Sequence, residues 1–205
     1  MYLCTSVVAD VYSDGWKGCK VTLITDNTAL IIVDVQDGLD APQLGKRNNP
    51  DAEYNMARLL ADWRTNQRPI YHVQHMSTNP NSTLRPDQPG NAIKQIVEPQ
   101  GDEPVIQKTI SNAFVGTDLE NRLREAEIQS VVVVGLTTEH CVSTTARIAG
   151  DLGFNTIVVA DATACHEHNG YDGIHYPAEM VHSVALVSLQ DEFATILNTD
   201  QVLAG

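Results

Sequence analysis

Residues 130–141 read SVVVVGLTTEHC, a run of four valines that ends in Gly135 and a polar turn. β-Branched side chains favour an extended backbone, and an unbroken apolar run predicts a strand that is covered on both faces. Residues 29–35, ALIIVDV, repeat this pattern nearer to the N-terminus. Strands of this kind belong to parallel sheets with helices packed on either side. The two runs together predict an α/β domain.

Short apolar runs alternate with amphipathic segments along the rest of the chain. Further strands are predicted at residues 68–75, 104–108, 156–162 and 194–198. Apolar side chains recur at helical spacing between them, which predicts helices at residues 50–65, 117–127, 139–152 and 177–192. Alternating strands and helices form βαβ units, so the predicted fold is a three-layer α/β/α domain with a six-stranded parallel sheet.

This domain is expected to span residues 26–205. Residues 1–25 show no sustained period and are expected to form an N-terminal arm or extension. The connection at residues 76–103 is rich in Pro, Asn, Ser and Gly. Because loops of this length inside a compact domain usually carry function, it is a candidate pocket element.

The charge of the chain argues against several classes of partner. The 205 residues contain 13 Lys and Arg against 26 Asp and Glu, a net charge of −13. Binding to nucleic acids or anionic membranes needs clustered basic side chains, so we expect neither as a partner. With no apolar run long enough for a membrane span and no visible secretory signal, the expected location is cytoplasmic.

The four cysteines are expected to be free thiols, because none lies in a C-x-x-C pair and the expected compartment is reducing. A Cys4–Cys19 bridge stays an alternative in an oxidised sample. The remaining two are Cys141 and Cys165.

Three reactive side chains fall at the carboxyl ends of predicted strands. Asp34 ends the first strand, Lys108 ends the third, and Cys141 follows the fourth in the first turn of a helix. Ligands bind at this edge of an open parallel sheet. The helix N-terminus favours an anion and is expected to lower the pKa of the Cys141 thiol. Each residue also has a structural interpretation, as a buried cysteine, a turn-capping aspartate and a surface lysine.

The seven histidines match no metal-binding motif, and no glycine-rich phosphate loop occurs. His72 and His75 are three residues apart on a predicted strand, so they point to opposite sides. His140 is not expected to contact Cys141, because neighbours on a helix point about 100° apart. We therefore predict neither a metal nor a cofactor.

Three segments resemble the isochorismatase-like cysteine hydrolases, a family that includes nicotinamidases and N-carbamoylsarcosine amidases. They are ALIIVDVQDGL (29–39), VIQKTISNAF (105–114) and VVVVGLTTEHCVSTTARIAGDLGF (131–154). The resemblance covers about residues 27–200 and implies the α/β/α fold. It also implies a catalytic triad of Asp34, Lys108 and Cys141.

The resemblance implies further site features. A cis peptide bond between Leu136 and Thr137 would help to aim the backbone N–H groups of Thr137 and Cys141 into an oxyanion hole. Leu39, Phe114 and the loop at residues 163–172, which includes His166, correspond to pocket positions. The metal-binding D-x-H of nicotinamidases is missing from YHVQHMSTNPNS (71–82), so neither a bound metal nor nicotinamide as substrate is implied.

The function implied is a metal-independent cysteine hydrolase that cleaves an amide, carbamoyl or related C–N bond of a small carbonyl compound through a thioester. Two alternatives stay open. One is a vinyl-ether hydrolase of the isochorismatase type, in which Asp34 protonates the substrate and Cys141 is a bystander. The other is an inactive binding or scaffold member of the family.

The family resemblance also implies a homo-oligomer. The N-terminal arm and the apolar C-terminal helix, through Val181, Val184, Ala185 and Leu189, are the candidate contacts.

Overall fold

A computed structural model describes residues 24–204, which fold around a six-stranded parallel sheet. The strands of the chain are β1 (Thr28–Val33), β2 (Ile70–His75), β3 (Val105–Lys108), β4 (Ser130–Leu136), β5 (Asn155–Ala164), β6 (His168–Asn169), β7 (His175–Tyr176) and β8 (Thr195–Leu197). The sheet has the order β3-β2-β1-β4-β5-β8, and β6 and β7 form a separate antiparallel pair. The predicted fold class is confirmed.

Helices cover both faces of the sheet. They are α1 (Ala52–Thr65), α2 (Leu119–Glu125), α3 (Ser143–Asp151), α4 (Ala178–Val187) and α5 (Thr199–Leu203). A five-residue π-helix, Thr138–Val142, leads directly into α3. The helix predicted at residues 139–152 is therefore present, but its first turn is wider than an α-helical turn. Such π-helical turns are frequent at functional sites.

Each face of the sheet carries its own hydrophobic cluster. Along β1, Ile31 and Val33 pack toward α2 and α3, whereas Leu30 and Ile32 pack toward α1 and α5. Successive strand residues point to opposite faces, so burial of both rows explains the unbroken apolar run in the sequence. On the α1 side, the fully buried Trp63 donates from Nε1 to the carbonyl oxygen of Thr28 at 2.9 Å.

Most of the predicted N-terminal arm lies outside the described residues, as do Cys4 and Cys19. Of residues 1–25, the structure describes Ile24 and Thr25. Ile24 is 5% exposed and packs in the cluster beside α1, so it belongs to the domain rather than to an arm. No helix in residues 24–204 is both long and apolar enough to cross a membrane.

The outer face of α4 is apolar. Met180, Val184 and Val187 are 53%, 64% and 70% exposed. Ala185 and Leu189 were expected at a subunit contact, but they are 7% and 0% exposed because they pack into the core. The expected oligomer stays a prediction, with Val184 as the exposed member of the predicted contact set.

Buried amides tie the long connection at residues 76–103 to the end of β2. Gln36 donates from Nε2 to the carbonyl oxygens of His75 at 3.1 Å and Asn91 at 2.8 Å. Asn91 donates from Nδ2 to the carbonyl oxygens of His75 at 2.9 Å and Leu84 at 2.8 Å. The connection is therefore fixed against the carboxyl edge of the sheet.

An ion-pair network ties the segment after β1 to α1. Glu53 accepts hydrogen bonds from both terminal nitrogens of Arg47, at 2.6 and 2.7 Å, and from Lys94 Nζ at 2.7 Å. Lys94 also donates to Asp40 at 2.6 Å. Burial alone would raise the pKa of Glu53, but hydrogen bonds and charges from Arg47 and Lys94 outweigh it and lower the pKa to about 2.

Acid is expected to weaken the fold through Glu53. Its pKa is lower in the folded chain, so its contribution to stability is present above the ordinary value of 4.5 and lost as the pH falls toward about 2. Glu53→Gln should cost about 3 kcal/mol at pH 7, because Arg47 and Lys94 lose their shared partner. Urea denaturation at pH 7 and pH 3 measures both effects, with the exposed Glu120→Gln as control. A variant that loses as much stability on acidification as the native protein would contradict this prediction.

Candidate active site

The ends of β1, β3 and β4 deliver one reactive side chain each to the same edge of the sheet. β1 and β4 lie side by side at its centre, where the strand order reverses direction. Such a switch point is where open α/β sheets bind ligands. Asp34 directly follows β1, Cys141 lies in the π-helix after β4, and Lys108 ends β3.

These three side chains, predicted from sequence as a triad, lie in contact. Lys108 donates from Nζ to Asp34 Oδ2 at 2.6 Å, and the same nitrogen lies 3.4 Å from Cys141 Sγ. A carboxylate oxygen of Asp34 lies within 4.8 Å of the sulfur. The side chains of Lys108 and Asp34 are 0% and 1% exposed, so the charged pair is shielded from solvent.

Lys108 Nζ has two further neighbours. The carbonyl oxygen of Ile110 lies at 3.0 Å and His75 Nδ1 at 3.1 Å. His75 pairs with Lys108 in the register of β2 and β3, which places both at the sheet edge. An ammonium only donates hydrogen bonds, so His75 Nδ1 accepts and the ring proton lies on Nε2.

The backbone takes unusual conformations beside the reactive groups. Asp34 has φ of +51°, in the left-handed region that aspartate tolerates better than most residues. Gly135 has φ of +123°, and a Cβ there would collide with the carbonyl oxygen of Val33. Glycine therefore allows β4 to approach β1 next to the site.

The peptide bond that follows is also unusual. Between Leu136 and Thr137 it is cis, the geometry that the resemblance implies. Within residues 24–204 the N–H group of Thr137 donates to no protein acceptor. It is therefore free to serve a ligand oxygen.

Burial dominates the titration of the reactive groups. It raises the pKa of Asp34, against the opposing charge of Lys108 and hydrogen bonds from Cys141 and Lys108. Burial and then the charge of Asp34 raise the pKa of Cys141 to about 12. The expectation that the helix terminus lowers the thiol pKa is therefore wrong, because burial and a neighbouring carboxylate outweigh it. Cys141 rests as a thiol, with the Asp34 carboxylate within 4.8 Å of it as a base.

The imidazole of His75 is uncharged at neutral pH. Burial and the charge of Lys108 lower its pKa to about 4, although a backbone hydrogen bond at Ile110 opposes them. His75 therefore acts as a neutral acceptor beside the ammonium.

A cavity of about 210 Å³ opens beside Cys141. Of the predicted pocket and oxyanion residues, Leu39, Thr137, Cys141 and His166 line it. The full lining consists of Asp34, Leu39, Leu44, His75, Ser82, Leu84, Leu136, Thr137, Glu139, His140, Cys141, His166 and His168. Ser82 and Leu84 come from the long connection, which therefore forms part of the pocket wall.

Phe114 does not line this cavity, so its assignment as a pocket residue is corrected. Its side chain is 6% exposed and belongs to the core cluster, where its ring stacks on Phe154 with centroids 6.2 Å apart. Asn112 accepts from the Phe114 N–H at 2.6 Å in the turn after β3. This turn directs the chain toward the core beneath α2 and α3.

Sequence reasoning did not assign His75 or Glu139 to the site. His75 could have been found, because it is the last residue of β2 and so shares the carboxyl edge with Lys108. Glu139 lies inside the quoted TTEHC turn, but nothing in the turn says which way it points. His72 points to the opposite face of the sheet from His75, as predicted, and pairs with Glu103 at 2.9 Å.

The site offers one set of atoms of metal-ligand type. Among residues 24–204, one ligand atom each of Asp34, His75 and Cys141 lies within 4.8 Å of the other two, and no other such group of three occurs. Lys108 Nζ is 2.6, 3.1 and 3.4 Å from these side chains. An ion bound to all three would have to displace this ammonium, so the donor set fits the lysine better than a metal.

The fold and the site define a hydrolase with a three-layer α/β/α fold and reactive groups at the switch point of its sheet. Residues 28–201 match the isochorismatase domain, so the chain belongs to the isochorismatase family of hydrolases.

Individual relatives support this assignment. The chain is 46% identical over 178 residues to the isochorismatase family protein YrdC of Bacillus subtilis, whose activity is uncharacterized, covering 87% of this chain and 95% of that one. It is 32% identical over 169 residues to a streptothricin hydrolase of Streptomyces noursei, covering 80% of this chain and 60% of that one. A crystal structure from Chromobacterium violaceum, assigned to the same family, superposes with a TM-score of 0.85 at 38% identity and covers 88% of this chain and 93% of that one.

Proposed function

We propose that this protein is a metal-independent cysteine hydrolase that cleaves an amide, carbamoyl or related C–N bond of a small carbonyl compound. The contact of Lys108 Nζ with both Asp34, at 2.6 Å, and Cys141 Sγ, at 3.4 Å, beside a cavity carries this proposal. A nucleophile, a base and a cation that holds them together are the groups that acyl transfer through a thioester requires.

The reaction begins from the thiol. Asp34 accepts the Sγ proton as the sulfur attacks the carbonyl carbon, and the Lys108 ammonium balances the negative charge of the pair. The N–H groups of Thr137 and Cys141 hold the oxyanion, and such a donor is typically worth about 3 kcal/mol.

The C–N bond then breaks. Asp34 returns the proton to the departing nitrogen, which leaves the acyl group on sulfur as a thioester. Water adds to the thioester carbonyl and gives its proton to Asp34. The C–S bond breaks, the acid leaves, and Cys141 regains its proton.

The charge of the cavity favours this reaction over vinyl-ether cleavage of isochorismate. Isochorismate carries two carboxylates, which bind best to Arg or Lys side chains. Among the described residues, the cavity lining contains neither Arg nor Lys but includes the carboxylates of Asp34 and Glu139. The streptothricin hydrolase relative supports hydrolysis more generally.

A panel of small amides, ureides and isochorismate tests the proposal. Release of ammonia or amine from at least one amide or ureide, absent from the Cys141→Ala protein, is the expected result. Pyruvate released from isochorismate at equal rates by the native and Cys141→Ala proteins would overturn the proposal in favour of vinyl-ether hydrolysis. If neither protein turns over any member of the panel, the inactive binding alternative is favoured.

A further inference from the structure

Glu139 presents an unsatisfied carboxylate oxygen beside the reactive thiol. It lies two residues before Cys141 in the π-helix and lines the same cavity, with its side chain 13% exposed. His168 Nε2 lies 3.1 Å from its Oε1 and His140 Nδ1 lies 3.6 Å from it. Its Oε2 is buried and accepts no hydrogen bond from residues 24–204.

Such an oxygen is costly to leave unpaired. A buried polar atom without a partner destabilises the folded protein, and more so when it is charged. The proposed reaction uses Asp34 but gives Glu139 no task. The two histidines account for Oε1, and no described residue neutralises the charge shared with Oε2.

The surroundings indicate the charge of that donor. No described lining residue is Arg or Lys, and Lys108 is hydrogen-bonded to Asp34 behind the cavity. The lining also includes four apolar side chains, Leu39, Leu44, Leu84 and Leu136. A cationic nitrogen on a short hydrocarbon chain matches one carboxylate and these apolar side chains.

We propose that Glu139 is a specificity-determining residue that binds a protonated nitrogen of the substrate, as an ammonium, amidinium or guanidinium group. This inference rests on the proposed function, which supplies the attack of Cys141 on a carbonyl group. It narrows the substrate class to small cationic amides or ureides. The carbonyl lies at Cys141, and the cationic end lies beside the Glu139 carboxylate.

Charge-matched thiol reagents test this proposal without any turnover. A methanethiosulfonate transfers its thioalkyl group to the Cys141 sulfur, which forms a disulfide, and methanesulfinate leaves. The rate of Cys141 modification is measured with the cationic 2-aminoethyl reagent and with the neutral propyl reagent, from the mass gained by the Cys141 peptide. The ratio of the cationic rate to the neutral rate reports charge selection. Mapping the peptide separates Cys141 from the other cysteines.

The ratio is expected to fall about tenfold in Glu139→Gln, because the amide keeps the size of the side chain and removes its charge. Glu167→Gln is the matched control, since Glu167 lies between the lining residues His166 and His168 but does not line the cavity. A fall of about threefold or more, confined to Glu139→Gln, supports the proposal. A smaller fall, or an equal fall in Glu167→Gln, overturns it, because Glu139 would then only orient the two histidines or contribute to the general field.

Two further measurements keep the test decisive. If Glu139→Gln does not fold, the same ratio for native Cys141 is compared with that of glutathione, and a native ratio no higher than that of glutathione overturns the proposal.

Hydrolysis of ω-amino amides is compared with that of alkanamides of equal length, and preference for the cationic series is expected. Charge-selective labelling without hydrolysis of any amide would overturn the proposed function alone. Hydrolysis without charge selection would overturn this inference alone.

Discussion

Cys141→Ala should lower kcat for the best amide substrate by at least about 10⁴-fold, because the covalent route through sulfur is lost and only substrate binding and the oxyanion donors remain. The fold should persist, because Cys141 lies at the wall of a cavity rather than in the middle of the core. Initial rates and thermal unfolding by circular dichroism measure the two effects.

Cys165→Ala is the matched control for this substitution. Cys165 is fully buried, its thiol donates to the carbonyl oxygen of Ala178 at 3.1 Å, and it does not line the cavity. Rapid quenching should trap an acyl group on Cys141 in the native and Cys165→Ala proteins. The expected loss in Cys141→Ala is about 10⁴-fold. If this variant keeps more than about 1% of the native activity, Cys141 is not the nucleophile.

Asp34→Asn is expected to slow turnover by about 10³-fold while making the thiol more acidic. The carboxylate charge raises the pKa of Cys141, whereas Lys108 lowers it. Removing Asp34 leaves the ammonium unopposed, so more thiolate forms at neutral pH even though the acceptor of the proton is gone. Thiolate absorbance during a pH titration and steady-state rates measure these opposite changes.

The exposed Asp37→Asn is the control, since it removes one carboxylate three residues away. A variant Asp34→Asn whose thiol titrates at the native pKa or higher would contradict the electrostatic account of the site.

The native protein should also lose activity in acid through Asp34. This residue must be ionised to accept the thiol proton, and burial raises its pKa above the ordinary 3.8. The kcat/KM should therefore fall tenfold per pH unit as the pH decreases through that raised value, which is a higher pH than an ordinary aspartate would give. A pH–rate profile checks the position of this limb.

Two features could be predicted from the strand patterns of the sequence. They are the parallel sheet and the proximity of Asp34, Lys108 and Cys141 at its carboxyl edge. Unbroken runs such as VVVV indicate strands buried on both faces, and the carboxyl ends of parallel strands share one edge. The residue that ends or follows each of these strands is therefore delivered to that edge whatever the details of packing.

Other properties of the site depend on tertiary contacts that no sequence pattern encodes. The raised pKa of Cys141 comes from burial and from a carboxylate on another strand, whereas its helix position alone suggested the opposite shift. Phe114 lies in a turn that points toward the core, where its ring stacks on Phe154. The unpaired oxygen of Glu139 depends on where His140 and His168 lie, and no sequence period encodes that.

Lys108 has more neighbours than it has hydrogens. An ammonium carries three, yet Asp34, Ile110, His75 and Cys141 all lie within 3.4 Å of Nζ, so one acceptor always goes unserved. In the resting thiol state the sulfur is the weakest of the four acceptors. Once it becomes anionic it is a stronger acceptor than the neutral imidazole, so the ammonium then favours the sulfur over His75. Lys108 already lies 3.4 Å from Sγ in the resting site, so the thiolate has a cation beside it as soon as it forms.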